Sequence, residues 1–143
     1  MLMTALGSRV YQLFIRFLMI LRNSDPEFTE LMSGVLGVWW GWQLLNPLAV
    51  TFDGGRGWTL MAALAPEEFW GLVYVAGGVF QLAALAVASF RLRWLAAFCG
   101  LVSWLLVAGM IGVANPSGTG LVTYSVIAIS QGWACWRIAL EAP

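Results

Sequence analysis

Apolar residues in this chain come in long blocks, separated by short polar or Gly/Pro-rich breaks. Four blocks stand out, at about 28–50, 69–90, 94–114 and 121–137. A helix of roughly 20 apolar residues crosses the ~30 Å of hydrocarbon in a bilayer. The pattern therefore predicts an all-α chain, an integral membrane four-helix bundle whose spanning domain covers residues 24–143.

The breaks carry helix-boundary chemistry. Ser24-Asp25-Pro26-Glu27 combines a capping side chain, a proline at the first helical position and an acid in the first turn. Ala65-Pro66-Glu67-Glu68 repeats that signal before the second span. Trp58 to Leu64 reads as a short interfacial helix following the polar, Gly-rich stretch Asp53-Gly54-Gly55-Arg56-Gly57. Arg91-Leu92-Arg93 reads as a tight polar turn, and Asn115-Pro116-Ser117-Gly118-Thr119-Gly120 as a loop.

Residues 1–23 have a different period. On a helical wheel Thr4, Ser8, Arg9, Gln12, Arg16, Arg22 and Asn23 fall within an arc of about 140°, and Leu6, Val10, Leu13, Phe14, Phe17, Leu18 and Leu21 fill the opposite side. This predicts an N-terminal amphipathic interfacial helix, with Arg9, Arg16 and Arg22 facing lipid headgroups. A signal peptide fits less well, because Arg16 interrupts the apolar run and no small-residue cleavage site follows.

Composition strengthens the membrane reading. Of the 143 residues 61% are hydrophobic and 10% charged, against roughly a quarter charged in soluble domains. Charge placement adds a direction. With a cytoplasmic N-terminus, Arg9, Arg16, Arg22, Arg91, Arg93 and Arg137 lie inside and only Arg56 outside, with Asp53, Glu67 and Glu68. The positive-inside rule then puts both termini in the cytoplasm of a bacterial inner membrane.

Candidate chemistry is sparse. Histidine is absent, and Cys99 and Cys135 sit singly in apolar runs. That leaves no expected metal site, cofactor or catalytic residue, and no enzyme. No nucleotide-binding motif or basic stripe suggests nucleic acid. The spans read as free of charge in their interiors, which argues against proton relays and voltage sensing. Their intramembrane polar content falls in two layers, Gln43, Asn46 and Tyr124 nearer the outer ends and Gln81, Ser103 and Gln131 deeper, read first as interhelical hydrogen bonding and second as the lining of a pocket. Trp39, Trp40, Trp42 and Trp104 also fall inside spans, where they fill the core or stack on a flat ligand. Ser33, Gly37 and Gly41, Ala96 and Gly100, Ala108 and Gly112, and Ala128 and Gly132 recur four apart and form candidate helix-packing faces.

Several stretches carry a resemblance: Trp39-Trp40-Gly41-Trp42, Pro66-Glu67-Glu68-Phe69-Trp70-Gly71, Gly77-Gly78 with Gln81-Leu82, and the Asn115-Pro116 loop with Gly118. Together, over about residues 30–137, they resemble small four-span membrane proteins of phages and prophages, some of them labelled holin-like. The layout of spans is also similar to DoxX-like four-span proteins, which are associated with redox membrane complexes. The small-residue faces, the spans read as free of internal charge and the amphipathic N-terminal helix predict a non-enzymatic, self-associating protein of the holin-like or phage-accessory type, whose partners are the lipid bilayer and further copies of itself. The second resemblance implies an accessory or structural subunit with a membrane-protein partner. A small-solute channel is a third expectation, resting on the polar layer alone.

Overall fold

Asp25 and Pro26 start the first long helix. The Asp25 carboxylate accepts the Glu27 backbone N–H at 2.9 Å, and Pro26 occupies the first turn, where no amide donor is required. The computed structural model describes Ile15, residues 25–48, Phe52 and residues 55–141. The expected surface helix at 1–23, with Arg9, Arg16 and Arg22, lies outside the described residues apart from Ile15, and Asp53 lies outside them too.

Among the described residues the chain is all-helical. Helix α1 runs Pro26–Leu45, a 3-10 turn covers Arg56–Trp58, and α2 is the short Thr59–Leu64; α3 runs Glu67–Val87, α4 Phe90–Ala114 and α5 Thr119–Leu140. The four long helices have 20, 21, 25 and 22 residues, or about 30–38 Å at ~1.5 Å per residue. Helices α3 and α4 are long and apolar enough to cross a membrane. Helices α1 and α5 match them in length but hold more polar side chains.

Three boundaries differ from expectation. The first span does not continue to Val50; α1 stops at Leu45, because Asn46 precedes Pro47 and takes an extended conformation (φ −78°, ψ 111°). Asn46 Oδ1 then accepts the Leu48 amide at 3.1 Å, closing a local turn. The tight turn between the second and third spans is Ala88-Ser89, not Arg91-Leu92-Arg93. Ala88 is left-handed (φ 53°), alone among described non-glycine residues. Phe90, Arg91 and Arg93 already belong to the first turn of α4.

The long helices form an antiparallel ring in which α1 packs most closely on α3, and α4 on α5; α3–α4 and α1–α5 contacts close it. Glycines set the α1–α3 approach. A Cβ on Gly41 would lie 2.6 Å from the Gly71 carbonyl oxygen, and one on Gly78 would lie 2.6 Å from that of Gly34. Two glycine pairs spaced seven residues apart on each helix thus meet backbone to backbone. Gly37 faces the Gly78 Cα across the same seam.

The α4–α5 pair is closed by side chains against small residues. Gly100 faces Gln131, Gly112 faces Leu121 and Gly132 faces Leu101. Ala96, Ala108 and Ala128 are buried. The small-residue faces on α1, α4 and α5 are therefore occupied within a single chain.

Candidate functional site in the bundle interior

The six intramembrane polar residues, expected in two layers, take different roles. Gln81 and Gln131 are both buried, and Gln81 Nε2 donates to Gln131 Oε1 at 2.7 Å, joining α3 to α5. Ser103 contributes its backbone carbonyl, which accepts the Tyr74 hydroxyl at 2.9 Å and joins α3 to α4. Tyr124 stacks on Trp104 at 5.7 Å with the rings 12° apart. Gln43 is half-buried near the end of α1, and Asn46 is the helix cap already described, so neither joins the interior set.

A cavity of about 40 Å³ lies between the helices, with Ser33, Tyr74, Gln81, Ser103 and Trp104 among its walls. It has room for one or two water molecules. Two buried polar atoms near it, Ser33 Oγ and Gln131 Nε2, find no hydrogen-bond partner among the described residues. Polar atoms of this kind make water the natural occupant of such a space.

The expectation that no span carries internal charge is overturned by Glu30. It sits in the second turn of α1 with its side chain 0% exposed, paired with Arg93 from the first turn of α4. The guanidinium grips both carboxylate oxygens, Nε lying 3.2 Å from Oε1 and 3.1 Å from Oε2, and Nη2 donating to Oε2. Glu27 approaches the same guanidinium at 3.4 Å from a more exposed position. Burial without a partner would be prohibitive for either ion, and the bidentate geometry is what permits it. Arg93 is thus a mostly buried helical residue, not part of a polar turn. The pairing had a trace in the sequence, because a hairpin topology puts Glu27, Glu30, Arg91 and Arg93 at the same end.

The four inner tryptophans also divide. Trp40 forms the hub of an aromatic cluster, with ring centroids 4.4 Å from Tyr74, 5.6 Å from Trp104, 5.8 Å from Tyr124 and 5.9 Å from Trp58. Trp104 is buried beside it. Trp39 and Trp42 point outward instead, 62% and 63% exposed. Consecutive residues on a helix point about 100° apart, so Trp39 and Trp40 cannot share a face.

Beyond the aromatic cluster, at the end that carries α2, an open pocket of about 340 Å³ lies between the 3-10 turn and the α4–α5 loop. Arg56, Trp58, Asn115, Thr119, Thr123 and Tyr124 line it, together with glycine backbone. Among the described residues no three of His, Cys, Asp and Glu converge to hold a metal ion. Cys99 is exposed and Cys135 buried, and both are free thiols. Comparison of the chain with protein-family models, with curated proteins and with solved structures finds no match.

Proposed function

We propose that this chain is a four-span protein of the bacterial inner membrane, with both termini cytoplasmic, that works without catalysis by associating with further copies of itself. The observation that carries the reading is the apolar coat of the bundle, around a mainly apolar core in which a few polar side chains are buried. Val35 and Trp39 on α1, Leu72 and Val79 on α3, Val102 on α4 and Ile129 on α5 are exposed, while Glu30, Gln81 and Gln131 are buried. Water is the wrong solvent for a coat of this kind on every long helix, and hydrocarbon is the right one.

Self-association is supported by the outer face of α1. Phe28, Met32, Val35, Trp39 and Trp42 are all exposed on it, and their spacing of four, three, four and three residues is that of a seam for a second helix. The small-residue faces are already used inside the chain, so a partner copy meets this bulky stripe. The reading agrees with the holin-like resemblance of the sequence.

The test is oligomeric state in nanodiscs at rising protein-to-lipid ratio, with membrane potential followed during regulated expression. Dimers or larger assemblies are expected, weakened by Val35→Trp together with Trp39→Ala. A chain that stays monomeric at every ratio overturns the reading, and one that accumulates without loss of potential is not holin-like.

A second reading, an accessory subunit with a DoxX-like role, is favoured by the open pocket beside Arg56, Trp58 and Tyr124. Purification in native lipid with a stoichiometric protein partner supports it. The channel expectation fares worse, since Trp40, Tyr74, Trp104 and Tyr124 fill the axis where a solute path would run.

A further inference from the structure

We infer that the open pocket at the α2 end of the bundle is a binding site for a small anionic group of phosphate type, held by Arg56. Its volume of about 340 Å³ falls in the range of small-molecule sites, which begins near 300 Å³. Arg56 is the one charged residue among those lining it. Among the described residues no ion pair engages its guanidinium, so its planar set of donors is open to a ligand. A guanidinium matches two oxygens of a phosphate at once, which is the geometry that makes arginine the preferred residue for this anion.

The surrounding chemistry agrees with an anion and not with a cation. Asn115, Thr119 and Thr123 supply amide and hydroxyl groups, and the first turn of α5 opens onto the same space without a side-chain cap. Thr123 Oγ1 already donates its proton to the Thr119 carbonyl at 3.1 Å, so the donors left for an anion are the Arg56 guanidinium, the Asn115 amide and the Thr119 hydroxyl. The other wall is Trp58 and Tyr124, 6.0 Å apart edge to face, and it gives an apolar rest for whatever body carries the phosphate. Gly55, Gly57, Gly118 and Gly120 complete the rim, where side chains would otherwise fill the space.

The phosphate can come from a soluble ester or from a lipid headgroup, because the pocket is open and lies at the end of the helices. Two arms separate these sources, both with the full chain in nanodiscs. In the first, glycerol 3-phosphate and inorganic phosphate are titrated against protein in phosphatidylcholine discs, with thermal stability and tryptophan fluorescence as readouts. In the second, discs containing phosphatidylglycerol are compared with pure phosphatidylcholine discs for stability and for lipid retained through re-extraction.

A saturable one-site response is expected in one arm, and Arg56→Gln weakens it by about tenfold or more. Because Arg56 is exposed, the variant keeps its helical circular dichroism, and Arg56→Lys retains part of the response. A response in the first arm assigns a soluble ester, and one confined to the second assigns a lipid. No saturable response in either arm, or one that Arg56→Gln leaves unchanged, overturns the proposal.

Discussion

Arg93 reaches across the bundle to Glu30, joining α4 to α1, the two helices that face each other diagonally in the ring. The pair lies at the opposite end from α2, next to a second core cluster of Ala97, Ala134, Cys135 and Ile138. A fully buried carboxylate held by one guanidinium is a constraint on folding as much as a source of stability. Misplaced packing would leave both ions without partners.

Removing one partner should therefore cost far more than removing both. Glu30→Gln or Arg93→Met alone should destabilise the chain by about 3–5 kcal/mol, while a double replacement by apolar residues of similar volume should be close to neutral. Unfolding in detergent, followed by circular dichroism for the two single variants and the double variant, measures the difference. Equal losses in single and double variants would sink the idea that the charges matter as a pair.

Gly41 and Gly78 sit where a methyl group would strike backbone. Gly41→Ala and Gly78→Ala should each destabilise the α1–α3 pair by about 1–3 kcal/mol. Gly109 has open space where its Cβ would go, so Gly109→Ala is the matched control, expected to be neutral or stabilising by up to about 1 kcal/mol. Thermal unfolding of the three variants in one lipid ranks them.

Ala88 holds a left-handed conformation that L-residues with a Cβ adopt at a cost of roughly 1–2 kcal/mol. Ala88→Gly should relieve the strain and, after the added flexibility of glycine, leave a gain of roughly 0.5–1 kcal/mol. A lower midpoint for this variant would show that the turn is not strained.

The outward tryptophans offer a direct check on the solvent of the bundle. Brominated acyl chains should quench Trp39, and Trp39→Phe should remove much of that quenching. Trp104→Phe should leave it intact, because Trp104 is 3% exposed. Loss of quenching in Trp104→Phe alone would invert the assignment of inner and outer faces.

The Gln81–Gln131 bond is suited to a double-mutant cycle with leucine. Coupling of about 0.6 kcal/mol, up to roughly 1.7, is the range for hydrogen bonds between membrane helices. Coupling indistinguishable from zero would mean that water or another residue replaces the lost partner.

Helix number, type and approximate position were legible because long apolar blocks punctuated by proline and acid leave few alternatives. Boundaries were less legible. Pro47 could have ended α1 at Leu45, but an apolar run hides a proline from hydropathy. The turn at Ala88-Ser89 has no glycine or proline to mark it, so the nearby arginines attracted the turn instead. In the site, the four-residue template for small residues found Gly37 and Gly41 but passed over Gly34, Gly71 and Gly78, whose seven-residue spacing sets the α1–α3 contact. The Glu30–Arg93 pair was missed because a charge near a span end reads as interfacial, and only the packing of α4 against the rest decides that it is buried.

The buried bond from Trp70 to the Met61 carbonyl ties α3 to the short α2, whereas three interior side-chain links between long helices, Glu30–Arg93, Gln81–Gln131 and Tyr74–Ser103, share a property that glycine packing does not. Each runs from the first hairpin, 26–87, to the second, 90–140, and none lies within a hairpin. Close backbone contact holds each half together, and directional polar bonds align the halves. A chain divided at Ser89 should then behave as two separately produced pieces that recognise each other, so the protein lends itself to split complementation, with the three links as the code that selects the correct mate.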